Sequence, residues 1–448
     1  MNGGTFTSVE SKQRAGIYFN FKTLAQDRLA SGVSGTVALP VVLSWGPARQ
    51  FLSISNVEDL NKKVGLNIDD PTLLLYREAK KKAQTVLLYR LNQGEQARAQ
   101  VSETLTVTAK YGGEKGNDIS IRISENVLDT SRRDVLTFVG TDEVDRQTVA
   151  AAEELKANSY VSFEGTGELT PTAGTSLLGG NNGQANVQDY TDFLAAAETE
   201  YFNSIALPVE EDEQLKATFT AFIKRIRDNQ GIKVTGVLAG YRADHEGVIN
   251  ITEGVLLEDG TKIEPHLATA WVAGASAAAG FGQSLTFVEY AGAVDVLNRL
   301  DEDQIIQKLN KGEFIFSFDP RDKTVSVEKD ISSLTSFTTE KNKKFSKNKI
   351  VRVLDSINND LTAQLKALIK ARKEAGSDIP ASQDGLQFVR SLYVQYMTEL
   401  QAGGGIENFD SETDIQIQLT EDRDGFITNM AAQPVDAAEK FFFNVEVR

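Results

Sequence analysis

The chain has 448 residues, 41% hydrophobic and 25% charged, with no cysteine, two histidines and a net charge of −16. That length predicts two to four domains, and the composition is that of a folded soluble protein, with no apolar run near the ~20 residues of a membrane span. Zero cysteines exclude disulfides, thiolate metal sites and cysteine nucleophiles, and the negative balance argues against generic nucleic-acid or anionic-membrane binding.

A loose Gly/Ser/Thr/Gln leader comes first, with no basic patch followed by an apolar core, so no secretory signal is expected. Ile17, Phe19 and Phe21 then alternate with Tyr18 and Asn20, the period of a strand. Thr36 to Ser44 is β-prone, Asp70-Pro71 opens a helix to about Ala83 as N-cap and first-turn proline, and Thr85 to Leu91 is a strand. From Val101 to Gln184, short alternating runs separated by Gly112-Gly113, Gly116-Asn117 and Gly165-Gly167 predict a β-rich module. Gly179-Gly180-Asn181-Asn182-Gly183 closes it as a hinge or a tight loop.

The period then becomes helical. Helices over 187–201 and 211–229, each followed by a strand (204–208 and 233–238), and a small-residue helix from His266 to about Ala279 imply a parallel sheet with helices on its faces. Glu313–Ser317 and Lys323–Glu328 read as a hairpin around Asp319-Pro320-Arg321-Asp322. Two amphipathic helices follow, one presenting Leu361, Leu365, Leu368 and Ile369, the other Leu386, Val389, Tyr393, Tyr396 and Leu400. Gly403-Gly404-Gly405 stops the second, and Asp414–Leu419 alternates as a strand.

The last eight residues also alternate: Phe441, Phe443, Val445 and Val447 share one face, and Phe442, Asn444, Glu446 and Arg448 the other. Burying those four apolar groups would stabilise by roughly 6–12 kcal/mol, at about 1.5–3 per side chain. Two apolar strands at the extremities suggest strand addition to the sheets of neighbouring subunits. Pairing of both within their own chain is the competing reading.

Chemistry-bearing motifs are missing. His245 lies in a charged loop and His266 at a helix start, and neither belongs to a zinc-binding HExxH pattern. Gly274-Ala275-Ser276-Ala277-Ala278 falls short of a nucleophile elbow, so Ser276 reads as a packing residue. Gly112-Gly113-Glu114-Lys115-Gly116 lacks the spacing and the following hydroxyl of a phosphate loop. The acidic runs 210–213, 301–303 and 421–424 lack calcium-loop spacing. No catalytic residue, metal or cofactor is expected. The charge is uneven, however: 331–380 holds ten Lys/Arg against five Asp/Glu, a local +5 that leaves −21 for the remainder.

Four segments together resemble the tail sheath proteins of contractile bacteriophages and phage-tail-like bacteriocins. They are Leu177-Leu178-Gly179-Gly180-Asn181-Asn182-Gly183, Gln283-Ser284-Leu285-Thr286, Val325 to Phe337, and Ser346 to Leu361. Their order and spacing resemble the shorter sheath proteins of Gram-positive phages and prophages. The resemblance implies a multi-domain α/β chain whose parallel-sheet core has a subtilisin-like topology without a catalytic triad. It further implies an outward β-rich insertion, an α+β C-terminal domain facing an inner tube, and extended terminal arms.

On this sequence the implied parts are an arm over 1–22, a first core part over 23–100, the insertion over 101–184, the sheath domain over 185–328, a tube-facing domain over 329–435 and a second arm over 436–448. Strand exchange falls to Ile17, Phe19, Phe21, Phe441, Phe443, Val445 and Val447, and tube contact to Lys366, Lys370, Arg372 and Lys373. The implied partners are other copies in a helical polymer of stacked rings, an inner tail tube protein, and baseplate and tail terminator proteins. Assembly is expected in the bacterial host cytoplasm, without nucleic-acid contact or membrane insertion. Another self-assembling tail or surface-layer protein, and an α/β hydrolase-like enzyme, are the weaker readings.

Overall fold

The computed structural model describes residues 35–447, which fall into two compact units. One comprises Gly35–Ala278 and Leu285–Asn348; the other comprises Ala279–Ser284 and the chain from Lys349 onward. Each is described by itself.

The larger unit is built on a seven-stranded sheet. Its order is Glu313–Phe314, Val248–Ile251, Thr235–Ala239, Ser204–Ala206, Thr36–Val41, Thr85–Arg90 and Phe51–Ile54. All neighbours pair in parallel except Phe51–Ile54, which runs antiparallel to Thr85–Arg90 at the edge. The central strands are near-continuous apolar runs because both faces are covered. Helices Val187–Ala197 and Glu213–Asp228 cover one face, placing Phe193, Phe219, Phe222 and Ile223 against Ala38, Tyr89 and Ile205. Helix Pro265–Ala278 covers the other, where Ser204, the alternate residue to Ile205, donates its hydroxyl to Ala273 O at 2.6 Å.

Small residues let that second layer close. Gly274 packs so near the helix Leu74–Lys80 that an added Cβ would lie 2.4 Å from Ala79 O, a backbone atom with little room to yield. Gly274→Ala is therefore expected to lower stability by about 1–3 kcal/mol through overpacking, despite alanine's better helix propensity. A urea midpoint equal to or above that of the parent chain would contradict this packing account.

The sequence-derived helix after Asp70 is a short 3₁₀ turn, Pro71–Leu73, running into the helix Leu74–Lys80. Asp70 caps it as expected, accepting from Thr72 N at 2.9 Å. The β-rich module consists of two antiparallel sheets. One joins Gln96–Ser102, Leu105–Gly112 and Val161–Gly165; the other joins Thr172–Ser176, Ile119–Glu125, Arg133–Val139 and Asp142–Val149. The loop 179–183 is tight rather than a hinge. Asn181 O accepts from Glu95 N at 2.7 Å, Asn182 O from Asn92 Nδ2 at 2.6 Å, and Gly180 N donates to Asn117 Oδ1 at 2.8 Å.

The expected first hairpin strand, Glu313–Ser317, divides in two. Glu313–Phe314 joins the large sheet beside Val248–Ile251, and Phe316–Asp319 pairs with Thr324–Val327. The smaller unit holds the helix Asn348–Glu374, all but its first residue, and the helix Gln383–Ala402. It also holds the ribbon Ile415–Leu419/Phe426–Met430 and the short pair Ile406–Glu407/Gln433–Pro434. Val353, Val389, Tyr393, Tyr396, Met397 and Leu400 form its core, with Leu361 and Leu365 partly buried against it. Cover then thins, and Ile369 is 49% exposed. Eight α-helices occur among the described residues, and none is long and apolar enough to cross a membrane.

Candidate assembly surfaces

The residues that hinted at chemistry take structural places. His245 is buried; its Nδ1 accepts from Gly247 N at 3.0 Å, and its Nε2 lies 3.6 Å from Glu246. Burial, partly opposed by the Glu246 charge and aided by Arg227, Lys224 and Lys341, holds the imidazole down to about 4. The ring is thus neutral at pH 7, and the contact with Glu246 is not an ion pair. The Ser333 hydroxyl meets the backbone of His245, not its ring. His266 sits in the first turn of the helix Pro265–Ala278, its pKa also lowered by burial, and Ser276 is buried further along the same helix.

A pH prediction follows from His245. The unfolded imidazole, near 6.5, takes up a proton before the folded one does, so this group's contribution is complete above about pH 6.5 and is lost as pH falls toward 4. The loss amounts to about 3 kcal/mol. His245→Asn keeps an acceptor for Gly247 N and should flatten stability over that window. Parallel stability–pH curves for parent and variant would refute the assignment.

Three of the sequence segments singled out above converge on one buried carboxylate. Asp330 is 2% exposed. It accepts from Leu285 N at 2.9 Å and from Asn348 Nδ2 at 2.8 Å, while its own N–H donates to Thr286 Oγ1 at 3.0 Å. Beside it, Ser332 N donates to Ser346 O at 2.8 Å and Asn348 N to Asp330 O at 3.2 Å. Glu246 pairs with Lys341 at 2.6 Å, tying the 338–347 loop to the core.

The C-terminal segment is different. Gln433–Pro434 pairs with Ile406–Glu407, and Val435 N donates to Gly405 O at 3.0 Å. From 436 to 447 the chain belongs to no helix or strand. Phe441, Phe443, Val445 and Val447 are 71%, 84%, 83% and 94% exposed. The segment expected to pair as a strand thus has no ladder within its own chain among the described residues. Ile17, Phe19 and Phe21 lie outside the described residues.

Of the basic candidates, Lys366, Lys370 and Lys373 are exposed and lie within one narrow arc of the helix. Lys370 approaches Glu374 at 3.9 Å, and Lys373 pairs with Asp378. Arg372 is turned to the packing side, its guanidinium 4.5 Å from the centre of the Phe388 ring. It is therefore separated from the three lysines with which the sequence grouped it.

Four family models together cover the described chain apart from residues 334–339. The Tail sheath protein Gp18 domain III N-terminal region matches 34–91, the Phage tail sheath protein beta-sandwich domain 92–182, the Phage tail sheath protein central domain 183–333 and the Phage tail sheath C-terminal domain 340–448. The chain belongs to the phage tail sheath protein family. That is a family of structural proteins, not of enzymes.

This sheath protein is 64% identical over 465 residues to the phage-like element PBSX protein XkdK of Bacillus subtilis, covering 100% of both chains. The crystal structure of the sheath tail protein Lin1278 from Listeria innocua matches at 48% identity, covering 93% of this chain and 97% of that one with a TM-score of 0.83. The helical sheath of the anti-feeding prophage in its contracted state matches at 12% identity, covering 98% of this chain and 99% of that one with a TM-score of 0.54. That last likeness is one of fold alone.

Proposed function

We propose that this sheath protein polymerises as a helical tube of stacked rings around an inner tail tube and drives that tube through a bacterial envelope by contracting from a metastable extended state. The observation that carries the reading is the exposed segment 441–447, a strand pattern with four large apolar groups on one face and, among the described residues, no ladder of its own. Such a segment is completed by an open sheet edge. The ribbon Ile415–Leu419/Phe426–Met430 offers suitable edges, because among the described residues it is a sheet of only two strands, a marginal structure until extended.

Backbone ladders between copies suit contraction, since they hold neighbours together while folded cores rotate. The free energy would come from interface gained between subunits. The N-terminal residues Ile17, Phe19 and Phe21 belong to the same proposal as a second exchanged strand. Lys366, Lys370 and Lys373 would face the inner tail tube through exposed ion pairs worth about 0–1 kcal/mol each, weak enough to break on contraction. Arg372, engaged with Phe388, has at most a supporting place in that contact. Baseplate and tail terminator proteins would cap the polymer, which assembles in the host cytoplasm as part of a phage or phage-tail-like particle. The subtilisin-like topology of the core sheet, the outward insertion and the tube-facing C-terminal domain are part of this reading.

Electron microscopy of the purified protein tests it. Wide hollow tubes with helical order are expected; a chain that remains monomeric at high concentration would contradict the proposal.

A further inference from the structure

Three consecutive residues of the loop 241–247 grip one neighbouring segment. Asp244 Oδ1 accepts from Thr335 N at 2.7 Å, from Ser336 N at 2.9 Å and from the Thr335 hydroxyl at 3.1 Å. His245 O accepts from the Ser333 hydroxyl at 3.2 Å, and Glu246 pairs with Lys341 at 2.6 Å. Asp244 sits in the left-handed region at φ +49, a conformation that persists where its surroundings impose it. The gripped segment, 333–341, leads from the central-domain match, which ends at 333, to the C-terminal-domain match, which begins at 340.

The ring of the middle residue is locked in one protonation state. Its Nδ1 accepts from Gly247 N at 3.0 Å and so carries no proton; Nε2 carries it, buried 3.6 Å from Glu246. A second proton would go on Nδ1, where it would point at the Gly247 N–H. The charged groups facing the ring are Lys224 and Arg227 of the helix Glu213–Asp228, Glu246 beside it and Lys341 of the segment, three cations against one anion. The closed arrangement therefore refuses an imidazolium that water accepts. The two carboxylates do not share this sensitivity. Burial raises Asp244, but hydrogen bonds from Ser336 and Thr335 outweigh it and hold the group far below the usual carboxylate range. Burial of Glu246 is likewise outweighed, by Lys341 and His245.

We infer that the loop 241–247 and the segment 333–341 form a clasp that protonation of His245 releases, freeing the stretch of chain between the two family matches while the parallel sheet stays folded. The inference is independent of the polymer reading. An open clasp exposes the imidazole, which then titrates near its ordinary 6.5, whereas burial holds the closed ring down to about 4. The hold is complete above about pH 6.5 and is lost as pH falls toward 4. The open-to-closed ratio should rise roughly twentyfold from pH 7 to pH 5.

Hydrogen exchange on the full-length chain reads that ratio once each rate is divided by the intrinsic rate at the same pH. The Ser333, Thr335 and Ser336 amides donate to Val248 O and to Asp244, and their protection should fall roughly twentyfold between pH 7 and pH 5. Strand Thr235–Ala239 should stay at least about tenfold better protected at both. His245→Asn, which keeps an acceptor for Gly247 N, should hold the fall within about threefold. Should that variant not fold, Lys341→Met replaces it: without the competing ammonium, Glu246 can pair with the imidazolium, and the fall should shrink below about tenfold. Equal falls in parent and variant, no fall in the parent, or a segment that exchanges only together with Thr235–Ala239 would each overturn the clasp.

Discussion

Removing Lys440–Arg448 should abolish tube formation while leaving the unfolding midpoint of the isolated chain unchanged. Residues 440–447 contribute no helix or strand, and Phe441, Phe443, Val445 and Val447 are at least 71% exposed. Little of the chain's own stability is therefore at stake. In a neighbour's sheet, burial of those four side chains would contribute roughly 6–12 kcal/mol, and about six ladder bonds roughly 3–9 kcal/mol more. Ordering the segment costs about 8–16 kcal/mol at 1–2 per residue. A few kcal/mol per junction survive, enough to shift association by orders of magnitude. Point changes should separate the two faces: Phe443→Asp should act like the deletion, whereas Phe442→Asp, on the opposite face, should act weakly. Ordered tubes from the truncated chain would break the link between this segment and assembly.

Asp330→Ala should destabilise the fold by about 2–6 kcal/mol, the largest single-residue effect expected outside the apolar core. The substitution strands two buried donors, Leu285 N and Asn348 Nδ2, at about 1–3 kcal/mol each. Asp330→Asn should recover less than half of that loss, because an amide accepts from one donor and presents its own N–H to the other. Urea titration with an unchanged slope reads both values. A loss below 1 kcal/mol for the alanine variant would mean that Asp330 does not hold these segments together.

The parallel sheet was legible because its strands are short apolar runs separated by amphipathic helices, each with a local signature. The split of Glu313–Ser317 was not. Its residues alternate without interruption, and only the neighbour Val248–Ile251 draws Glu313–Phe314 away from the hairpin. Phe51–Ile54 escaped notice because an edge strand of four residues carries too little pattern, and its identity comes from pairing with Thr85–Arg90.

The same physics governed the candidate sites. The alternation of Phe441 to Val447 could be read directly, since period two is a local property. Grouping Arg372 with Lys366, Lys370 and Lys373 treated nearness in sequence as nearness in space, whereas the helical turn sends Arg372 to Phe388. The Asp330 cluster was visible only as three unconnected motifs. Its partners lie 45 and 18 residues away in sequence, and hydrogen-bond donors at that separation leave no periodic trace.

The most direct measurement is a cryo-electron microscopy reconstruction of the assembled particle at side-chain resolution, traced through residues 436–447. The expected map shows Phe441–Val447 as a strand hydrogen-bonded to a sheet of another copy, with Phe441, Phe443, Val445 and Val447 buried there. A map in which the segment folds back onto its own subunit, with no ladder linking neighbouring copies, would contradict the account.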